Sequence, residues 1–334
     1  MLGEKLLIKL WETLVKDGVG SLASPWQIKR EGKAHAEVRC DEMLMLAQAE
    51  VEAKQIKQGK KKLLADGRLI ELGGSDSNID YLGRLEPTFN LDGFSQKIEQ
   101  QKKAEEIQQE ININKIISLA EDELLRSQQE SSEKDVDSDW LLRWREHAKN
   151  TNNEDLRQVW ARTLAGEVKS PGSYSLRTLE FIKNLSQEEA LAISKLGQFA
   201  IARSIFKCSQ LEKQGINFNF LLQMDNLGII NGVQASGLEL SFNSRETNMF
   251  STALVNRNQV LLIEAEDANK KLSLECYQIS KIGAEVLSLG DFSANEHYMR
   301  EVGEQIKNMG FEVKIALWVR THADYGQYFN AQSI

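Results

Sequence analysis

Proline stands at only three of 334 positions, Pro25, Pro87 and Pro171. A proline removes a backbone donor and clashes with the preceding helical turn, so its scarcity leaves long stretches free to wind without interruption. Between the first two, residues 26–65 are rich in Ala, Glu, Gln and Lys, and only Gly32 and Gly59 weaken the summed helix propensity. The length suggests about two domains of ordinary size. With 41% hydrophobic and 27% charged residues, wholesale disorder is excluded. Acids outnumber bases 49 to 41, a formal charge of −8. That balance argues against a general polyanion binder and leaves room for a local basic patch.

From Gly3 to Asp17, Leu7, Leu10, Trp11 and Leu14 fall at helical spacing, with Ile8 and Val15 widening the stripe. Lys5, Lys9, Glu12 and Lys16 occupy much of the remainder. Two readings stand. The apolar face docks on the protein's own body, or Leu7, Leu10, Trp11 and Leu14 form a membrane or partner face, since Trp with flanking lysines also fits an interface.

Residues 26–65 read as a long helix, with Lys60, Lys61 and Lys62 as a solvated face or helix end rather than a nucleic-acid site. Residues 66–94, punctuated by Gly67, Gly73, Gly74, Gly83, Pro87 and Gly93, read as a loop. Helical pattern resumes to Leu125, where Ile113, Ile117, Ala120 and Leu124 trace one face beside Ile107 and Ile116. Two long helices around a loop suggest an antiparallel hairpin. The acidic, Ser-rich stretch Glu121–Asp139 reads as a solvated linker; SEKDVDSD lacks the glycine turn and terminal glutamate of a calcium loop.

Residues 139–201 carry the densest local logic. Trp140, Leu141, Trp144 and Ala148 form one helical face. Asn152 or Asn153 caps the next helix, which carries Leu156, Val159, Trp160, Thr163 and Leu164 at core spacing and stops at Ser170–Pro171–Gly172. A helix from Ser175 follows, then a capping box of Ser186 and Glu189. Beyond Ala202 the character changes to a helix at 218–227 breaking at Gly228, strand-like runs at 238–242, 259–265, 272–279 and 311–319, and two further helices. The order suggests a winged-helix-like arrangement. From residue 171 onward there are 15 Lys and Arg against 18 Asp and Glu, and the helix at 219–227 holds Asp225 and no base. A duplex reader needs basic or amide contacts, so a protein-contact or structural role is favoured.

The expected architecture is therefore mainly α with a smaller α+β C-terminal domain. It comprises an amphipathic segment 1–25, a long helical hairpin 26–132 with loop 66–94, a Trp-rich helical module 133–201, and an α+β domain 202–334. No Walker loop, HExxH, GxSxG, dinucleotide fingerprint or zinc ribbon is present. His35, His147, His297 and His322 are dispersed, leaving His147 with the 135–139 acids, or His322 with Asp324, as pairings only a fold can make. Cys40, Cys208 and Cys276 show neither metal-ligand nor redox spacing and read as small buried hydrophobes in a reducing cytosol. No catalytic residue, cofactor or metal is expected, and no apolar run reaches the length of a membrane span.

The segment Asp139–Ala190 resembles a bacterial family known only as a domain of unknown function. The shared pattern is carried here by Asp139 and Trp140, by Leu156, Trp160, Ala161, Arg162, Leu164, Ala165, Gly166 and Glu167, by Pro171, Gly172 and Ser173, and by Ser175, Arg177 and Thr178. Segments from Pro25 (PWQIKREGKAHAE) and from Gln108 (QQEININKII) are similar as well, extending the resemblance over residues 20–200. More distantly, the glycine-then-proline N-terminus, helical middle and LRQVWARTLAG helix look like the abortive-infection alpha family of phage-resistance proteins. That kinship implies antiviral defence and no known catalytic residue, so none is carried over.

The resulting expectation is a cytoplasmic, non-enzymatic defence sensor or scaffold. It would act as a homo-oligomer with a host or phage protein partner, and Trp140, Trp144, Trp160, Gly166 and Arg177 would serve as architecture. Two alternatives stand beside it. One is a membrane-active effector working through residues 3–17 at the inner membrane, and the other is a DNA-binding regulator working through the winged-helix-like region.

Overall fold

A computed structural model describes residues 2–16, 18, 35–64, 66–71, 91–127, 129, 132–235, 237–320 and 326–334. The Pro25 segment up to Lys33, most of loop 66–94, and His322 with Asp324 lie outside the described residues, as do the side chains of His35 and Cys40. The chain divides into two compact units, Met1–Pro171 and Gly172–Ile334.

The first unit is helical except for one small ribbon. It holds α1 (Leu2–Lys16), α2 (His35–Lys57), β1 (Lys61–Leu63), β2 (Leu69–Glu71), α3 (Leu91–Leu125), α4 (Ser138–Ala148) and α5 (Glu154–Lys169). Ile113, Ile117, Ala120 and Leu124 recur every three or four residues along α3 and are buried, together with Ile111 and Ile116. Against this stripe lie α1, through buried Leu6, Leu10 and Leu14, and α5, through Trp160, Ala161, Leu164 and Ala165. Gly3 lets α1 close on the end of α3: a Cβ there would stand 2.9 Å from the Leu125 carbonyl oxygen. The Trp11 indole donates to Glu121 Oε1 at 2.8 Å inside this contact. Lys9 Nζ donates to the carbonyls of Ser132 and Lys134, both at 2.7 Å, and pins the acidic connection beneath α1.

Two sequence expectations are corrected here. The helix expected over 26–65 ends at Lys57, because Gly59 takes a left-handed φ of 71°, and Lys61 and Lys62 enter the antiparallel ribbon β1–β2. Asp66 closes that turn by accepting from the Arg68 backbone and guanidinium, and Arg68 holds the Asp66 carboxyl below its ordinary value. The linker expected from Glu121 is helical to Leu125, and Glu121 is buried because it receives the Trp11 indole.

α2 runs antiparallel to α3: Glu50 meets Lys115 at 2.7 Å, while Leu63, further along the chain, meets Gln100 nearer the start of α3. The Gln100 amide accepts from Leu63 N–H at 3.0 Å and donates to its carbonyl at 3.2 Å, standing in for a neighbouring strand. Lys115 holds the Glu50 carboxyl below its usual range.

The second unit is mixed α/β. It holds α6 (Leu176–Lys183), α7 (Gln187–Gly197), β3 (Ser204–Phe206), α8 (Ser209–Lys213), α9 (Phe218–Asn226), β4 (Ile230–Asn231) and β5 (Leu238–Phe242). There follow β6 (Phe250–Asn256), β7 (Gln259–Ala265), β8 (Leu272–Ile279), α10 (Lys281–Leu289), α11 (Glu296–Asn308), β9 (Glu312–Arg320) and β10 (Gly326–Ser333). One sheet has the order β3-β8-β4, with β5 also on β8, and the other runs β10-β9-β7-β6; all pairings are antiparallel. The core between them contains Phe199, Phe206, Phe250, Leu261, Ile263, Tyr298 and Met299. Tyr298 is the polar tie within it: its Oη accepts from Phe206 N–H at 2.6 Å and donates to the Phe206 carbonyl at 3.1 Å. Gly283 lets α10 touch the backbone of Ile229, where a Cβ would come within 2.1 Å of the carbonyl oxygen.

The module read at 133–201 divides accordingly: α4 and α5 belong to the first unit, α6 and α7 to the second. Leu185, Ile193 and Leu196 join the second core, which makes that unit larger than the expected 202–334.

Replacing Trp11 by Phe keeps the ring and removes the donor to Glu121. A loss of about 1–3 kcal/mol is expected for the first unit, read by urea unfolding, because a buried carboxylate forfeits a hydrogen bond.

Candidate functional site

The motif-bearing residues are built on α4, α5 and α6. Asp137 caps α4 by accepting from Trp140 N–H at 2.9 Å, and Asn153, rather than Asn152, caps α5 by accepting from Leu156 N–H at 3.1 Å. These caps set the register that turns Trp140, Trp144 and Trp160 inward, and all three are buried. Trp144 Nε1 donates to the Trp160 carbonyl at 3.1 Å, so the two helices are joined through an indole as well as by packing. The His147 ring lies 6.1 Å from that of Trp160. Arg162 donates to Glu123 at 3.3 Å and Gln158 to the same oxygen at 3.0 Å, fixing the half-exposed side of α5 to α3. Gly166 is half-buried, and its carbonyl receives Ser170 N–H at 3.0 Å where α5 ends.

Arg177 is exposed on the first turn of α6, whereas its neighbour Thr178 is fully buried. Thr178 Oγ1 donates to Glu285 Oε2 at 2.5 Å, and Ser175 N–H donates to the same oxygen at 2.7 Å. The architectural weight placed on Arg177 therefore falls on Thr178 and Glu285. A Ser-x-x-Thr start marks the donor, but its acceptor is more than a hundred residues away in sequence and carries no local signal.

On α1, Leu10, Trp11 and Leu14 are buried and Leu7 is half-buried, while Ile8 and Val15 are exposed. The face read as meeting a membrane or partner is thus occupied by α3 and α5. No described helix is long and apolar enough to cross a membrane.

Among the described residues no group of three His, Cys, Asp or Glu is placed to hold a metal ion. His297 is exposed on α11. Burial pushes the Cys208 thiol up to about 11 and also raises Cys276. A groove of about 640 Å³ between α2 and α3 is lined by Leu46, Ala49, Ile107 and Ile111 together with Glu42, Glu106 and Glu110. In the second unit α9 exposes Phe218, Asn219, Gln223 and Asn226, and β10 exposes nearly every side chain.

Residues 96–204 match the family model described as protein of unknown function (DUF2806). The matched stretch includes the Trp-rich helices, the Pro171 stop and the Ser175–Thr178 start. No curated protein and no solved structure matches the chain. The family description names no activity, so the chemistry rests on the geometry above.

Three outcomes are expected. Trp144→Ala should cost about 3–5 kcal/mol in chemical unfolding, the range for emptying a buried aromatic site. Thr178→Val, which removes one hydroxyl from a carboxylate, should cost about 1.5–3 kcal/mol while Arg177→Ala stays near neutral. Cys208 and Cys276 should resist alkylation at neutral pH in the folded protein, as mapped by peptide mass spectrometry. Because the Cys208 value is raised on folding, the stability it contributes is complete at neutral pH and is lost as pH rises from the ordinary thiol range through about 11.

Proposed function

We propose that this chain is a non-enzymatic sensor or scaffold of abortive-infection-type antiviral defence, acting through self-association and contact with a protein partner. The defence setting rests on the resemblance of the LRQVWARTLAG helix and its flanks to phage-resistance proteins. The mode of action rests on α9. In the second unit the order α7, β3, α8, α9, β4, β5, with β3, β4 and β5 each paired to β8, supports a winged-helix-like reading in which α9 is the contact helix. The β6–β7 hairpin, which lies between β5 and β8 in sequence, joins the other sheet in place of a wing.

The observation that carries the reading is the exposed face of α9. It presents Phe218, 58% exposed, with Asn217, Asn219, Gln223 and Asn226, and its charged member is Asp225. A duplex demands cations to neutralise phosphates, and this helix offers none. An exposed aromatic beside exposed amides is suited to a protein surface, where aromatics bury large area and amides satisfy backbone groups.

Phage plating on a bacterial host with and without the gene, at native expression, tests the setting. Reduced plating of some phages is expected, lost in Phe218→Asp at unchanged protein level; full plating of every phage with the wild-type gene overturns the defence reading. No duplex DNA binding is expected at low salt, and tight, salt-sensitive binding overturns the protein-partner reading.

A further inference from the structure

We infer that the chain pairs with a second copy of itself by antiparallel strand addition along the outer edge of β10, joining two four-stranded sheets into one. This deepens the self-association proposed above and rests on that reading.

A bare strand edge is a template for another strand, and proteins ordinarily blunt it with charge, proline or a cover. β10 reads GQYFNAQS and contains neither charge nor proline. The opposite edge of the same sheet is covered: Arg245 N–H donates to the Ser251 carbonyl at 2.9 Å and Ala202 N–H to that of Val255 at 3.0 Å, both on β6. On the other sheet, β5 carries Glu239. Among the described residues, no comparable backbone bond reaches the outer side of β10. One blunting device exists, a register shift between Phe329 and Gln332 where Asn330 takes a φ of 53°. It confines the regular edge to Gly326–Phe329. Gly326, the weak point of that stretch, lies against Trp318, whose ring would stand 2.3 Å from a Cβ there.

The side chains indicate what lies across this edge. Along β9, Val313 and Ile315 face the core, and the same face continues through Leu317 and Val319, which are 48% and 53% exposed. The β7 ladder ends at the Gln259–Leu317 pair, after which Trp318 N–H donates to the Asn258 carbonyl at 2.8 Å; past that bond, among the described residues, β10 is the strand paired with β9. Phe329, opposite Leu317, is 49% exposed, and Tyr328, opposite Trp318, is 54% exposed. An apolar surface thus runs on past the end of the sheet that buries its beginning.

An uncharged strand meets its own copy without like-charge repulsion, and two-fold pairing is self-complementary by construction. An acidic or basic partner strand finds no countercharge on β10. A two-fold axis at Tyr328 sets Gln327 opposite Phe329 of the second copy and doubles the Leu317–Val319–Phe329 patch.

Light scattering on size-exclusion fractions of the full chain, across rising concentration, tests this. The wild type should dimerise, and Tyr328→Lys or Phe329→Lys should weaken dimerisation by about tenfold or more. Both positions are exposed, so the melting temperature should hold. Tyr328→Cys should form a symmetric interchain disulfide under mild oxidant, while Glu239→Cys does not. A monomer at every concentration, or a dimer indifferent to both lysines and not linked through Tyr328→Cys, overturns the pairing. A monomer that still protects against phage overturns the pairing alone; a dimer of this kind in a chain that protects against no phage overturns the defence reading alone.

Discussion

The first unit depends on one buried stripe. Ile113, Ile117, Ala120 and Leu124 of α3 are too apolar to face water and too narrow to form a core alone, so other helices must supply the remaining walls. α1 supplies one wall and α5 another, and the polar bonds are placed where those walls meet: Trp11 to Glu121, Arg162 and Gln158 to Glu123. Hydrophobic burial drives the association, whereas each of these bonds has a single satisfactory alignment and therefore selects the register. In the second unit Tyr298 has the comparable role, holding both backbone groups of Phe206 from α11.

What was legible in the sequence follows from the range of the forces involved. The α3 stripe, the Ser186–Glu189 capping box and the break at Gly228 are local patterns, written within a few residues of where they act. The strand-like runs at 238–242, 259–265, 272–279 and 311–319, the last alternating with period two, are where the fold places β5, β7, β8 and β9. β10 gave no such signal, since a strand exposed on both faces has no buried side to impose alternation. β1 and β2 were hidden by lysines that read as a helix end, and the glycine turn beside them was the cue that mattered. The inward face of α1 was visible as a stripe, but no single-chain pattern distinguishes docking on self from docking on a membrane. Thr178 carries no local sign of its partner, because the carboxylate that needs its hydroxyl, Glu285, is distant in sequence.

The same physics bears on activity. Several polar groups that look like chemistry join helices instead, Trp144 to Trp160, Arg162 to Glu123 and Glu121 to Trp11, and burial pushes the Cys208 and Cys276 thiols upward. Presented to solvent among the described residues are the aromatic and amides of α9 and the apolar side chains of the β9–β10 ribbon, alongside the groove between α2 and α3 with its glutamates.

The matched family stretch, 96–204, begins inside α3 and ends at β3, while the compact units divide at Pro171 and Gly172. Its first part carries the α3 stripe without the α1 wall, and its last strand, β3, hydrogen-bonds to β8, which lies nearly seventy residues further along. The matched string is therefore two half-cores in tandem rather than a body that folds by itself. Cut out at its ends, it would turn bare apolar faces to water. In this chain α1 covers the first half-core, and the strands and helices that follow β3 cover the second.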